Sequence, residues 1–260
     1  MKVLMNGALG KMGAQIWTLL ESGKNGAEIA CGVDICADGA EIACGVDICA
    51  DGSDPRVLKN LSDFDGKADV IIDFSNHACT KDLMDYAVRT NTPCVVATTG
   101  HTVQELEMID EAAKSVAIFR SANMSIGIAV LADFAKRAAS LMPEADIEII
   151  EKHHNRKLDA PSGTALLLAN AIREVREKAR LVFGRSGQAK RETDEIGVHA
   201  IRMGNIIGEH EVIVGTDTQT VTLKHEAHSR ALFAEGAIAA AEFVIGKPAG
   251  MYDMKSMIEA

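Results

Sequence analysis

A short apolar strand that runs directly into glycines and then a helix, KVLMNGALGKMGAQIWTLL over 2–20, is the stretch that most narrows the folds open to this chain. Met12, Ile16, Leu19 and Leu20 fall at helical spacing behind the turn, so one face of that helix is apolar. The same grammar then repeats. ADVIIDF (68–74) is an apolar strand, CTKDLMDYAVRTN (79–91) an amphipathic helix, TPCVVATTG (92–100) a strand, VQELEMIDEAAKS (103–115) a helix and VAIFRSAN (116–123) a strand. Strands without a polar face must be covered on both sides, and strands that alternate with helices pair in parallel. The pattern predicts a doubly wound α/β sheet.

After Asn123 the grammar changes. IGIAVLADFAKRAASLM (126–142) reads as a long apolar helix, DIEIIE (146–151) as a strand and SGTALLLANAIREVREKA (162–179) as a helix. IGVHAIR, GEHEVIVG and QTVTLKH follow as strands, the last two joined by a short turn at Thr216-Asp217 and so expected as an antiparallel hairpin. A second, α+β unit with a mixed sheet is therefore expected beyond a boundary near residue 124. The helix ALFAEGAIAAAEFVIG (231–246) and the tail after it can join either unit on pattern alone.

A chain of 260 residues is long enough for one large domain or two modest ones, and can bury a sizeable core. Its net charge of -10 repels nucleic acid and acidic membrane surfaces, and no apolar run approaches the roughly 18 residues of a spanning helix. The expected setting is the cytoplasm and the expected partner a small molecule. The six cysteines lack the C-x2-C spacing of a zinc site, so reduced core or loop thiols are expected and no metal.

Gly7, Gly10 and Gly13 in GALGKMG approximate the Rossmann dinucleotide fingerprint, in which glycines let the backbone approach a pyrophosphate at a helix start. The fingerprint also asks for an acid about 20 residues later, at the end of the second strand, to hold the ribose hydroxyls. Here the chain repeats itself: AEIACGVDICADG occupies 27–39 and again 40–52, so Asp34 and Asp47 compete for one position. Spacing favours Asp34, with 27–34 as the second strand and the second copy displaced. The alternative makes 40–47 the strand and Asp47 the ribose acid. An acid followed by Ile35 rather than arginine favours NADH, while Lys11 near the turn keeps NADPH open.

The densest chemistry lies in EIIEKHHNRKLDAPSGTALLLANAI (148–172). Lys152, His153, His154, Arg156 and Lys157 crowd one loop of an acidic chain, and the loop leads into a helix start at Pro161, Ser162, Gly163 and Thr164. Basic side chains beside a helix N-terminus suit a carboxylate-bearing substrate that must be protonated. Adjacent His153 and His154 point apart in an extended segment, a poor arrangement for a metal.

These segments resemble the dihydrodipicolinate reductase family of bacterial diaminopimelate and lysine synthesis. The resemblance rests on GALGKMG, DVIIDFS (69–75), ATTG (97–100), SANMSIG (121–127), IEIIEKHHNRKLDAPSGTA (147–165), GEHEV (208–212), HEAHSRALFAEGA (225–237) and GMYDM (250–254), and spans nearly the whole chain. It implies a nucleotide-binding domain over 1–124, completed by about 235–260, and a substrate-binding and oligomerisation domain over 125–234 that builds a homotetramer. It implies His153 and Lys157 as the proton-transfer pair, and His154, Gly163 and Thr164 as contacts to a dicarboxylate. Gly7, Ala8, Leu9, Gly10, Lys11 and Met12, the turn Ala97, Thr98 and Thr99, and Ser121, Ala122, Asn123 and Met124 match the cofactor-binding segments. The implied reaction is NAD(P)H-dependent reduction of 4-hydroxy-tetrahydrodipicolinate with loss of water. Arg230 fits a second carboxylate clamp or a structural ion pair equally. A different amino-acid-type dehydrogenase or a non-catalytic nucleotide sensor would share the glycine turn but leave HHNRKLDAPSGT unexplained.

Overall fold

A computed structural model describes residues 1–22, 41–46, 50, 52, 54 and 56–260. The first stretch carries β1 (Lys2–Asn6), α1 (Lys11–Ser22), β2 (Glu41–Val46), β3 (Val57–Leu58), β4 (Val70–Asp73), α2 (Thr80–Thr90), β5 (Cys94–Val96), α3 (Val103–Ala112) and β6 (Ala117–Arg120). The middle carries α4 (Ile126–Leu141), β7 (Asp146–His153), α5 (Gly163–Arg173), β8 (Arg180–Phe183), β9 (Glu195–Arg202), β10 (Glu209–Gly215) and β11 (Thr220–Glu226). It ends with α6 (Ala231–Val244), β12 (Gly250–Tyr252) and α7 (Met254–Ile258). Two compact units result, one made of Met1–Met124 with Ala231–Ala260, the other of Ser125–Arg230.

The first unit is a seven-stranded parallel sheet in the order β12-β6-β5-β4-β1-β2-β3. Leu4, Ile71, Val96 and Ile118 on one face pack with Leu83 and Ala87 of α2 and Ile109 of α3. The other face packs against α6, whose buried residues are small from Ala234 to Ala241 (Ala234, Gly236, Ala237, Ala240 and Ala241), with Val244 buried at its end, so the helix comes close. At Gly236 a Cβ would lie 1.7 Å from the Met124 carbonyl oxygen. Phe243 anchors the end of α6 edge-on between Phe119 of β6 and Tyr252 of β12. Order reverses between β4 and β2 on either side of β1, and ligands of open α/β sheets bind at such a switch point, beyond the carboxyl ends of the strands.

The strand beside β1 is supplied by the second copy of the repeated phrase. The expectation that 27–34 would take that place is corrected: Glu41–Val46 pairs with β1, and β4 occupies its other side. Identical copies have identical propensity, so only chain connectivity can choose between them. β3 in turn pairs with Gly45 and Val46 of the second copy. Asp34 and Asp47 both lie outside the described residues.

The second unit is a five-stranded mixed sheet, β11-β10-β7-β9-β8, with the expected antiparallel hairpin between β10 and β11. Alternation along β7 buries Ile147, Ile149, Glu151 and His153 on one face. Ile147 and Ile149 share a core with Ile128 and Leu131 of α4 and Leu168 and Ile172 of α5. α5 stops at Arg173 rather than running to 179. Beyond its end, Arg176 donates to the carbonyl oxygens of Ala139 and Met142 at the close of α4, at 3.1 and 2.6 Å. Among the described residues no helix is long and apolar enough to cross a membrane.

Deleting residues 27–39 leaves one copy of the phrase with the same six strand residues. The shortened protein should fold with an unchanged melting midpoint by circular dichroism. An insoluble or non-cooperatively melting product would show that both copies are needed.

Candidate active site

The end of β7 and the loop after it distribute the basic residues of 152–157 to different places. Lys152, on the opposite face of β7 from His153, is paired with Glu209 at 2.9 Å. Arg156 is exposed and donates to Asn205 Oδ1 at 2.6 Å. His153, His154 and Lys157 remain at the corner where β7 meets the start of α5. The His154 backbone N-H is held by the Ile206 carbonyl at 2.7 Å, and its side-chain Nδ1 is buried without a partner. Desolvation, and then the charges of Arg156 and Arg230, lower the His154 pKa. Arg230 thus bears on the same basic corner. Lys157 Nζ lies 2.9 Å from Asp159 Oδ1, and that pairing lowers the Asp159 pKa.

Across from this loop, Ser162 caps α5 by accepting from the Ala165 N-H at 3.2 Å. Gly163 is exposed and has no atom within 4 Å of the place a Cβ would take; Thr164 is half-buried beside it. The first turn of α5 therefore presents backbone N-H groups and the positive end of the helix dipole, where a carboxylate is stabilised.

Beneath the corner lies a buried network. Glu151, two residues before His153 on β7, is wholly inaccessible. Its carboxylate accepts from His153 Nδ1 at 2.5 Å, from Arg202 at 2.8 and 2.7 Å, and from the Ser162 backbone N-H at 3.0 Å. Burial pushes the Glu151 pKa up, but these donors outweigh it and hold it at about 2. His210 of β10 stacks edge-on against His153, with ring centroids 5.2 Å apart, and its Nε2 lies 3.2 Å from Ser162 Oγ. Desolvation and the His153 charge lower the His210 pKa to about 4.

In the first unit, the three expected cofactor segments follow β1, β5 and β6 along one edge of the sheet. Gly7 sits at φ +83° with its Cβ position 2.4 Å from the Phe74 carbonyl oxygen, and a Cβ on Gly13 would lie 2.1 Å from the Gly7 carbonyl oxygen. No other residue fits either position, and the turn closes as tightly as a pyrophosphate loop requires. The Gly7 and Ala8 N-H groups donate to Val46 O of β2 at 2.8 and 3.2 Å. Ala8 is buried, Leu9 and Lys11 are exposed, and Gly10 and Met12 lie between these limits. A cleft of about 200 Å³ beside the turn is lined by Asn6, Gly7, Gly10, Val46, Phe74 and Ser75, among others.

Ala97 and Thr98 are buried and Thr99 is exposed. Ser121 Oγ donates to the Asn123 carbonyl at 2.7 Å, Ala122 is exposed and Met124 buried. Among the described residues Cys79 and Cys94 are free thiols, and Cys94 is buried in the sheet.

Several residues with a hand in these sites carry no local signal. Asp73, at the end of β4, accepts from Asn6 Nδ2 at 2.7 Å and from Ser75 Oγ at 2.5 Å, and burial raises its pKa despite them. The Ser75 N-H in turn donates to Thr98 Oγ1 at 2.9 Å, tying together the ends of β1, β4 and β5. Glu151 could have been found from the sequence, since i and i+2 on a strand share a face. Arg202 and His210 could not, because they reach the site through sheet register alone.

A parallel sheet with a glycine turn at its switch point, followed by a mixed-sheet unit with a basic carboxylate corner, is the architecture of a nucleotide-dependent reductase. Similarity to known proteins narrows this class: residues 1–124 match the family "Dihydrodipicolinate reductase, N-terminus" and residues 127–258 the family "Dihydrodipicolinate reductase, C-terminus". A 4-hydroxy-tetrahydrodipicolinate reductase of Clostridium tetani is 47% identical over 206 residues, 78% of this chain and 81% of its own. That of Clostridium perfringens (strain ATCC 13124) is 40% identical over 261 residues, 99% of this chain and 98% of its own. The solved structure of a dipicolinate-bound dihydrodipicolinate reductase from Paenisporosarcina sp. TG-14 superposes with a TM-score of 0.78 at 25% identity, covering 97% of each chain. An amine dehydrogenase from Mycobacterium smegmatis, at 8% identity and a TM-score of 0.65, shares the fold alone. This chain belongs to the dihydrodipicolinate reductase family, and it is an oxidoreductase.

The network under the corner sets a pH limit on folding. His210 stays neutral in the folded chain down to about pH 4, whereas the unfolded chain takes up its proton near the ordinary 6.5, so its contribution is lost as pH falls through that window. Glu151 adds a second loss between 4.5 and about 2. Urea unfolding at stepped pH should show stability declining below pH 6.5, and His210→Phe should flatten the upper part of that decline while leaving the part below 4.5.

Proposed function

We propose that this chain reduces 4-hydroxy-tetrahydrodipicolinate, the compound its relatives are named for, in diaminopimelate and lysine synthesis in the cytoplasm. The observation that carries this reading is the corner itself: His153 at the end of β7 and His154 and Lys157 in the loop after it stand where the chain feeds into the first turn of α5, with Gly163 exposed. That combination suits a ring bearing two carboxylates. The dipicolinate held by the Paenisporosarcina reductase is such a ring. Gly163 and Thr164 offer backbone N-H groups to one carboxylate, and His154, with Arg230 nearby, faces the other. His153 and Lys157 move the protons that accompany loss of water and reduction. Lys157 does so on leaving Asp159 for the substrate.

The glycine turn and the segments at Ala97–Thr99 and Ser121–Met124 would hold NADH or NADPH, and the tight fit at Gly7 and Gly13 supports that use. Bound there, the dihydronicotinamide supplies the hydride. Lys11 and the exposed Leu9 flank the pyrophosphate turn, while buried Ala8, Met124 and Thr98 keep their segments in place. Asp47, the residue after β2, inherits the ribose-reading role that spacing alone gave Asp34, and an acid there favours NADH. The half-buried Ile150 and Ile213 on the sheet face away from the α4–α5 core support assembly into a homotetramer.

Oxidation of NADH and NADPH with freshly generated hydroxytetrahydrodipicolinate tests the reading. Wild-type protein should turn over. Lys157→Ala and His153→Ala should each lower kcat by about 10² to 10⁴, the usual worth of a positioned acid or base. Folded protein without turnover would refute the proposed reaction. In parallel titrations, Asp47→Ala should weaken NADH binding and Asp34→Ala should not; equal loss from both would defeat the single-reader view.

A further inference from the structure

We infer that Glu151, locked in place by Arg202, is a positioning residue that fixes the tautomer and direction of the His153 ring and the placement of the α5 N-terminus at the same time. The inference deepens the proposed function and rests on His153 as a proton-transfer group. Its basis is geometric. A carboxylate with no exposed surface receives four donors from three parts of the second unit: His153 Nδ1, both terminal nitrogens of Arg202, and the Ser162 backbone N-H. Four donors use the whole acceptor capacity of an ionised carboxylate.

An ionised carboxylate can only accept, so the nitrogen facing it must carry the proton. His153 Nδ1 is then N-H in the neutral ring, and Nε2 is the nitrogen left to exchange a proton with a substrate. His153 is buried, and the fold keeps a neighbouring side chain off that nitrogen. Residue 208 is glycine, and a Cβ there would stand 3.2 Å from His153 Nε2.

The same carboxylate sets the distance between proton and substrate. Glu151 Oε2 holds the His153 ring and Oε1 holds the Ser162 N-H, so one rigid group spans the acid–base residue and the cap of the helix expected to bind a carboxylate. Arg202 extends the brace to the loop by donating to the Asp159 carbonyl at 2.7 Å, two residues beyond Lys157. The charged and titratable groups around His153 include Glu151 on its own strand, Arg202 on β9, His210 on β10, His154, Lys157 and Asp159 in the loop, and Arg230 after β11. Of the two acids among these, Glu151 alone contacts the ring, and Asp159 is taken by Lys157.

Nitrogen-15 spectroscopy of histidine-labelled protein tests this without any activity measurement, with the His153 signals assigned by their absence from His153→Asn. Neutral His153 should show a protonated Nδ1 and a bare Nε2; the opposite tautomer in the wild type would overturn the inference. Glu151→Gln should lower kcat at least about tenfold with KM for substrate near that of the wild type, within the range a positioned acid or base is worth. Because that change strands Arg202, the charge-balanced Glu151→Met/Arg202→Met protein is measured beside it, and it should show the same kcat loss and a shift of His153 toward the Nε2-protonated form. Folded variants with wild-type kcat would overturn the positioning role. His153→Ala separates the two readings: if it also keeps its kcat, the proposed proton transfer is wrong, whereas if it alone loses kcat, only the role of Glu151 is wrong.

Discussion

A charge placed inside a sheet obliges its surroundings to be built around it. Glu151 has no contact with water, and an unpaired carboxylate there would cost several kcal/mol. The corner of the second unit is arranged to prevent this: β9 delivers Arg202, β7 turns His153 to the same face, and the chain returns so that the Ser162 backbone lies over the remaining lone pair. Remove one donor and the others are left holding an underpaired buried ion, a loss of about 3–5 kcal/mol. The need to satisfy one carboxylate therefore explains why the strand end, the loop and the helix start keep a fixed relation.

Much of this organisation was legible in the chain. Periodicity placed the parallel strands and most of the helices, and the change of pattern after Asn123 marked the passage from parallel to mixed sheet. The basic loop and the helix start at Ser162 stood out because chemistry-bearing residues were dense and local. What escaped was set by register. Arg202 and His210 lie 51 and 48 positions from their partners Glu151 and Ser162, and nothing in their own neighbourhoods marks them. α5 ended early for a similar reason, since Arg176 is drawn to carbonyls of α4, a tertiary contact without a helical-propensity signature.

The repeated phrase is the clearest instance of the limit. Two identical stretches cannot be told apart by any property of their residues. Spacing from the glycine turn pointed to the first, yet the sheet took the second. The fingerprint distance is a summary of typical connections between α1 and the second strand, and it stops being informative once that connection has been lengthened by thirteen residues.

The helix α6 and strand β12 complete a sheet that began more than a hundred residues earlier. During synthesis, β4 to β6 emerge with the face that α6 will cover bare, and Phe119 keeps no ring partner until Phe243 has been made. The intervening Ser125–Arg230 unit has its own core and all five of its strands by then. The order of consolidation thus inverts the order of the sequence: the enclosed unit can consolidate on the ribosome while the enclosing one waits, with an apolar surface open, for residues 231–260.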